Sequence, residues 1–288
     1  MNTANAPMYH GNTMGWVKID RQVVKRQNRI YRAAKRAEHR HIRRLQKLLL
    51  RSRAAKLLAV RQVTQENQGK KPPGVAGVAT LTPPERLELG QPLHLEDTAA
   101  PVRRVSIPKP GPTEPRPLGI PTRAARAKQR WVTHALEPAG EAQFAPNSDG
   151  FRPGRSTWEA IGAISVQINQ KPKWGLDADI ATCFDRRNHD ALLRQLHASP
   201  TLNRQITAWL QVGLRDKGAW FPTAAGTPPG GPASPLLANV ALHGLEEAST
   251  RAFPSRGRPA VVRYADDRVV LHPRREVIER WQAILTEH

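Results

Sequence analysis

Four aspartates stand out by type and spacing. Asp177 and Asp179 alternate in Trp174-Gly-Leu-Asp-Ala-Asp-Ile180, and Asp266 and Asp267 are adjacent in Val261-Val-Arg-Tyr-Ala-Asp-Asp-Arg-Val-Val270. Strand alternation puts Asp177 and Asp179 on one face and Leu176, Ala178 and Ile180 on the other. The second segment is two apolar runs joined by a short acidic turn, which reads as a hairpin with the acids at its tip. An aspartate in a turn commonly serves turn geometry alone. Carboxylates converging from two strand elements do more, because they can hold hard divalent cations, and Mg²⁺ shares its oxygen ligands with substrate phosphates. Two such ions about 4 Å apart activate a hydroxyl and stabilise a leaving pyrophosphate in an in-line displacement. The chemistry that fits is phosphoryl transfer.

The charge balance names the substrate class. The 288 residues carry 45 Lys+Arg against 24 Asp+Glu, a net charge of +21. Such self-repulsion is best relieved by a polyanion, and nucleic acid comes first. No apolar run is long enough to span a membrane. Cys183 is the only cysteine, which excludes a disulfide scaffold. Met1 to Gly15 lacks the basic start and apolar core of a signal peptide, so the expectation is a cytoplasmic, prokaryotic-like protein. A third motif, Gly226-Thr-Pro-Pro-Gly-Gly-Pro-Ala-Ser-Pro-Leu-Leu-Ala-Asn239, combines glycines that permit close backbone approach to a ligand with a helix start that offers free N–H groups. By composition alone it is a proline-rich turn before a helix.

The elements that would position these residues fall into three stretches. Residues 1–71 hold 18 Lys+Arg and only three acids, Asp20, Glu38 and Glu66. Apolar residues recur there at helical spacing and predict helices over 17–37 and 39–63. Surface helices usually mix acids with bases for i,i+4 support; the near absence of acids favours a phosphate-tracking face over a merely solvated pair. His39 and His41 have no partners at zinc spacing and read as solvated or RNA-contacting. Residues 72–121 contain 12 of the 26 prolines, which argues against a helix and for short edge strands around Val102, Val105 and Ile107. Beyond 122 the pattern is ordinary α/β. Helices are expected at 123–140, 156–170, 188–198, 201–214 and 275–287, and one more is capped by Ser234 with Pro235 in its first turn and carries Leu236, Leu237, Val240, Leu242 and Leu245. Strands are expected at Trp174–Ile180, Ala260–Tyr264 and Arg268–His272, with Trp174 anchoring the core.

In this order the pieces resemble the reverse transcriptases of group II introns, nearly end to end. Tyr264-Ala-Asp-Asp267 looks like that family's catalytic hairpin. Asp179-Ile-Ala-Thr-Cys-Phe-Asp185 looks like its first carboxylate motif, and the fixed step from acid to aromatic selects Asp179 over Asp177. Arg116-Pro-Leu-Gly-Ile-Pro-Thr122 with Arg126 resembles the fingers segment that grips the triphosphate. Asn147-Ser-Asp-Gly-Phe-Arg-Pro-Gly-Arg-Ser156 resembles a signature near the template, and Leu57-Leu-Ala-Val-Arg-Gln-Val-Thr64 with the Asn67 to Gly77 loop resembles the N-terminal extension.

The resemblance implies an α/β fold of fingers and palm, with an antiparallel palm sheet preceded by a basic helical extension. The expected divisions are 1–71, 72–170 and 171–288. It implies catalytic Asp179, Asp266 and Asp267. Two Mg²⁺ ions, replaceable by Mn²⁺, would lie on Asp179, Ile180 and Asp266, and the nucleotide pocket would hold Arg116, Arg126, Phe184 and position 229. The cations expected on nucleic acid are Arg43, Arg44, Lys47, Arg51, Lys70, Lys71, Arg152 and Arg155. Implied partners are an intron-like RNA template, primer DNA and deoxynucleoside triphosphates. A second polypeptide is expected to supply thumb or maturase function, because the final palm strand and thumb would lie beyond His288.

Several positions depart from the family's pattern. Pro229 stands where the family has Gln, Ala76 where Asp is expected, Asp149 for an aromatic, Ala125 for an acid and Arg268 for an apolar residue. Arg268, next to the acidic pair, is expected to pair with a carboxylate and compete with Mg²⁺. The rival expectation is therefore a relative that binds RNA without polymerising.

Overall fold

The computed structural model describes residues 15–67, 74, 75, 77, 80–108, 116–169, 171–179, 188–216, 219–221, 230–244, 251–254 and 257–287. The basic stretch forms α1 (Trp16–Lys35), α2 (His39–Leu50) and α3 (Arg53–Arg61), followed by a π-helical turn, Gln62–Glu66. The single helix expected over 39–63 is thus broken. Ser52 is extended (φ −76°, ψ 122°), a conformation serine favours just before a helix. The break lets α3 turn Ala54, Ala55, Leu58 and Ala59 inward.

The proline-rich stretch contains a helix after all, α4 (Pro83–Gly90). Prolines 83 and 84 fall in the first turn, where the backbone N–H groups have no helical acceptor to lose. The Thr82 backbone N–H and hydroxyl both reach Glu85 Oε2, at 2.6 and 2.8 Å. Next come β1 (Val102–Ile107) and β2 (Arg116–Ile120), paired antiparallel from Arg103 opposite Ile120 to Ile107 opposite Arg116. Pro117 is tolerated because β2 is an edge strand in the order β2-β1-β4-β5, where β4 is Leu214–Asp216 and β5 is Ala219–Phe221. Strand β1, expected at an edge, lies inside that sheet, since β4 pairs with its other side in parallel.

Helix α5 (Arg123–Glu141) is the hub of the helical half and packs against α1, α2 and α3. Its Ala127, Trp131, Val132, Ala135 and Leu136 share one core with Val23 and Ile30 of α1, Leu45 and Leu49 of α2, and Leu58 of α3. Pro138 sits inside α5 and has no N–H to give the His134 carbonyl. Gln27 of α1 fills the gap, its Nε2 donating to His134 O at 3.1 Å. His134 is itself buried, with Nε2 2.8 Å from Gln62 Oε1, which also accepts from Arg130 Nε at 2.7 Å. The π-helical turn is therefore tied to α5 by polar contacts as well as packing.

The remaining elements complete the first sheet, add to the helical core and build a second sheet, the palm sheet. In order come α6 (Thr157–Ile168), β3 (Trp174–Ala178), α7 (His189–Leu196), α8 (Pro200–Gln211), β4 (Leu214–Asp216), β5 (Ala219–Phe221), α9 (Ser234–Leu242), β6 (Ala260–Tyr264), β7 (Asp267–His272) and α10 (Arg275–Glu287). Helix α9 begins one residue early, with Ala233 in the cap position and Ser234 already helical. Its Leu236, Leu237, Val240 and Leu242 are buried; Leu245 lies outside the described residues. The palm sheet has the order β3-β7-β6, all antiparallel. Helix α10 covers one face through Val277, Ile278 and Trp281 against Val270. Trp174, expected in the core, is 52% exposed, with the Arg275 guanidinium 5.4 Å from its ring centre. Helix α6 is the least covered element: Trp158 is 77% and Val166 68% exposed, while Ala160 is buried.

No helix among the described residues is long and apolar enough to cross a membrane.

Candidate active site

The hairpin β6–β7 turns at Ala265 and Asp266, between the facing pair Tyr264 and Asp267. Ala265 has φ +60°. A non-glycine residue there costs about 1–2 kcal/mol and persists only where its surroundings hold it. The segment 147–150 does the holding. Arg263 N donates to Asn147 O at 2.8 Å and Asp149 N to Arg263 O at 2.9 Å, so the segment runs along β6 as an added parallel rung. Gly150 then touches the turn so closely that a β-carbon on it would meet Ala265 N at 2.1 Å. Asn239 of α9 completes the clamp, with Nδ2 donating to Gly150 O at 2.9 Å and Oδ1 accepting from Arg263 Nη1 at 3.0 Å. Three of the motifs picked out in the sequence meet here, through backbone more than side chain. Asn239 and Arg263 were not foreseen, although a lone amide inside Leu236-Leu-Ala-Asn-Val-Ala-Leu242 is the signal of a buried polar tie.

The carboxylates converge electrostatically. Asp177 faces Val269 across β3–β7, and by alternation it shares a face with Asp267. Burial pushes the Asp267 carboxyl above its usual range, and Asp266, Asp179 and Asp177 each push it further in the same direction. Asp179 follows directly after β3 and is exposed, and Asp266 is half-buried. Mutual repulsion among oxygen donors is what a hard divalent cation relieves; the donor chemistry fits Mg²⁺. Among the described residues, however, no three His, Cys, Asp or Glu side chains lie close enough together to hold an ion.

Arg268 sits on the central strand of the palm sheet. It faces Ala178 and Arg263 across the sheet and is 1% exposed. As the neighbour of Asp267 in a strand, it projects from the opposite face, away from Asp177 and Asp267.

The fingers side gathers cations. Arg126 is 4% exposed, and its Nε donates to Pro121 O at 3.1 Å. Burial, then Arg123 and Arg103, lower its pKa to about 10, so it stays charged at neutral pH. Arg123 is lowered too, by burial and then by Arg86. Arginines from α4, β1 and α5 thus crowd one place, as an anion site requires. The glycine pair of the third motif approaches the protein's own fingers rather than leaving room for a ligand. A β-carbon on Gly230 would meet Gly119 O at 2.4 Å, and one on Gly231 would meet Gln129 Oε1 at 2.3 Å.

Of the cations expected on nucleic acid, Arg44, Lys47 and Arg51 are exposed along α2, and Arg43 Nε donates to His197 O at 3.3 Å. Arg152 is turned inward. Its Nε and Nη2 donate to the Glu141 carboxylate at 2.9–3.1 Å, and Nη1 donates to Ala145 O and Ser148 O. Arg155 Nη1 pairs at 3.0 Å with Asp149, which is 2% exposed. That pairing accommodates the acid standing in an aromatic's place. Ile180, Cys183, Phe184, Pro229, Lys70, Lys71 and Ala76 lie outside the described residues, as does the side chain of Arg116.

Known proteins place this arrangement. Residues 12–93 match the N-terminal domain of reverse transcriptase, and residues 107–288 match reverse transcriptase (RNA-dependent DNA polymerase). Protein YkfC of Escherichia coli strain K12 is 31% identical over 218 residues, covering 71% of this chain and 57% of that protein. The group II intron-encoded protein LtrA of Lactococcus lactis subsp. cremoris is 36% identical over 150 residues, 51% of this chain and 25% of LtrA. Maturase-like protein 1 of Euglena gracilis is 29% identical over 245 residues, 80% of this chain and 51% of that protein. The chain thus spans between a quarter and three fifths of the length of these relatives. A chain of a partial Cas6-RT-Cas1–Cas2 complex aligns at TM-score 0.46 and 22% identity over 80% of this chain and 38% of that one. With its N-terminal helices and its fingers and palm both matched, the chain belongs to the reverse transcriptase family and is similar within it to group II intron-encoded and maturase-like proteins.

Proposed function

We propose that the palm face carrying Asp177, Asp179, Asp266 and Asp267 is the nucleotidyl-transfer site of an RNA-directed DNA polymerase. The observation that carries this is the convergence of these acids, each of the other three raising the Asp267 carboxyl. Asp179 and Asp266 would hold Mg²⁺ with Ile180 beside them, and Asp267 would support. When bound, the divalent ions supply positive charge to the attacking 3′-hydroxyl and to the phosphates. Arg126, still charged at neutral pH, grips the triphosphate together with Arg123 and Arg116. The clamp of Gly150, Asn239 and Arg263 holds the acidic turn in place while the strand is positioned by cations of α2. RNA is the template, DNA the primer, and deoxynucleoside triphosphates the substrates; a second polypeptide supplying thumb or maturase function remains part of the proposal.

A second reading, RNA binding without polymerisation, is favoured by Pro229. Proline offers neither a side-chain polar group nor an N–H where the family's glutamine contacts nucleotide. Primer extension on an RNA template with Mg²⁺ or Mn²⁺ decides. We expect extension to be weak, to disappear in Asp266→Asn and to rise in Pro229→Gln together with Arg268→Phe. RNA binding with no extension in either the native chain or the double variant would establish the second reading. Extension that survives Asp266→Asn would refute the site.

A further inference from the structure

Where α2, α3 and α4 meet, a cavity of ≈ 240 Å³ opens beside the basic face, lined by Arg51, Arg53, Lys56 and Leu57 from the end of α2 and from α3, and by Leu87, Gly90 and Gln91 from α4 and its end. Its size falls just below the ~300–1,000 Å³ typical of small-molecule sites, which suits one nucleotide and no larger group. No acid lines it, and among the described residues none of its three cations takes part in an ion pair. Three cations and two leucines in one cavity supply the two kinds of contact that the two halves of a nucleotide need.

The approach to this cavity is also built. Arg40, Arg44, Lys47 and Arg51 are all exposed, at positions i, i+4, i+7 and i+11 of one helical stripe. Successive members stand about 5 Å apart along the axis, a spacing that can follow the phosphates of one strand. The stripe ends at Arg51, which is also the first cation of the cavity wall.

We propose that this cavity takes a single unstacked nucleotide of an RNA strand, its phosphate among Arg51, Arg53 and Lys56 and its base against Leu57 and Leu87. The proposal rests on the reading of α2 as an RNA-facing helix. The same chemistry would serve a free nucleotide. A strand is favoured because the cation stripe leads phosphates to the cavity's mouth, whereas the buried arginines around Arg126 form a denser site for a free triphosphate.

The test uses the full chain with a short single-stranded RNA carrying one 2-aminopurine, followed by anisotropy and by base fluorescence, with free UMP as competitor. The cavity wall has no aromatic residue, so an inserted 2-aminopurine should leave its stacked neighbours without being quenched, and brighten. Leu87→Trp should fill the cavity, abolish the brightening and weaken binding about tenfold at an unchanged salt slope. Arg53→Gln, on an exposed position, should lower the slope of log K against log [salt] by about one and serves if Leu87→Trp folds poorly. Steep salt-dependent binding with no brightening, or with neither variant different from the native chain, would overturn the cavity assignment and leave the RNA-facing helix standing. UMP that removes the base signal while anisotropy stays high would overturn the strand in favour of a free nucleotide. Absence of any RNA binding would sink the reading of α2 and the cavity with it.

Discussion

The helical unit around α5 and the palm sheet are held together in different ways. Helix α5 is surrounded by α1, α2 and α3, and a continuous apolar core joins all four. The palm sheet has a small core, Phe253, Val270, Val277, Ile278 and Trp281, on the face that α10 covers, and acids gather on the other. The helical unit spends apolar area on stability. The palm keeps repelling charges and an αL alanine, costs that are tolerated where they are useful. The two regions therefore answer oppositely to acid.

The largest effect should come from His134. Burial is the main force that lowers its pKa from 6.5 to about 3, with Arg130 adding to it. Between those values the unfolded chain binds a proton that the folded chain refuses, so stability is full above about pH 6.5 and is lost as pH falls toward 3. The slope is about 1.4 kcal/mol per pH unit. Glu137, raised chiefly by burial, works against this loss, so the informative measurement is the difference between the native chain and His134→Gln in thermal melts at stepped pH. A parallel acid loss in both would show that His134 is not what makes the helical unit acid-sensitive.

Gly150→Ala should act on the palm alone. The added β-carbon strikes backbone at Ala265 and Tyr264 rather than a movable side chain, and overpacking of this kind costs about 1–3 kcal/mol. Hydrogen exchange should speed up in β6 and β7 while amides of α1 and α5 stay protected. Equal loosening of both regions would mean that they melt as one unit and would break the comparison.

The smallest effect is the sharpest. Asp267 is raised by burial and by Asp266, Asp179 and Asp177. Its folded pKa exceeds its unfolded one, so it favours folding most at low pH and that contribution is lost as pH rises through the folded value. Asp177→Asn should move the Asp267 titration, read by carboxylate NMR, back toward the ordinary range. No movement would mean that Asp177 does not act on Asp267 across the sheet face.

What could be read from the sequence followed from local rules. The acidic hairpin, the alternation of Asp177 and Asp179 and the amphipathic α1 and α5 are all period-two or period-3.6 patterns. Misreadings arose where chain neighbours are not spatial neighbours. Arg152 in a Gly-Pro loop reads as a surface cation, and only the fold brings Glu141 to it. Helix α4 was hidden by two prolines whose harmlessness depends on falling in a first turn, and the pair Thr82 and Glu85 was its visible mark. The clamp at Gly150 could be read only in its lone amide, Asn239, because it joins backbone groups and the Asn239 and Arg263 side chains from three separated segments.

The added rung of residues 147–149 along β6 has a consequence for the margin of the palm sheet. It occupies the outer side of β6, whereas among the described residues β3, at the far end of the sheet, pairs only with β7. The rung reaches only the Arg263 end of β6, so the segment that steadies the acidic turn also covers the backbone of β6 where the strand enters that turn.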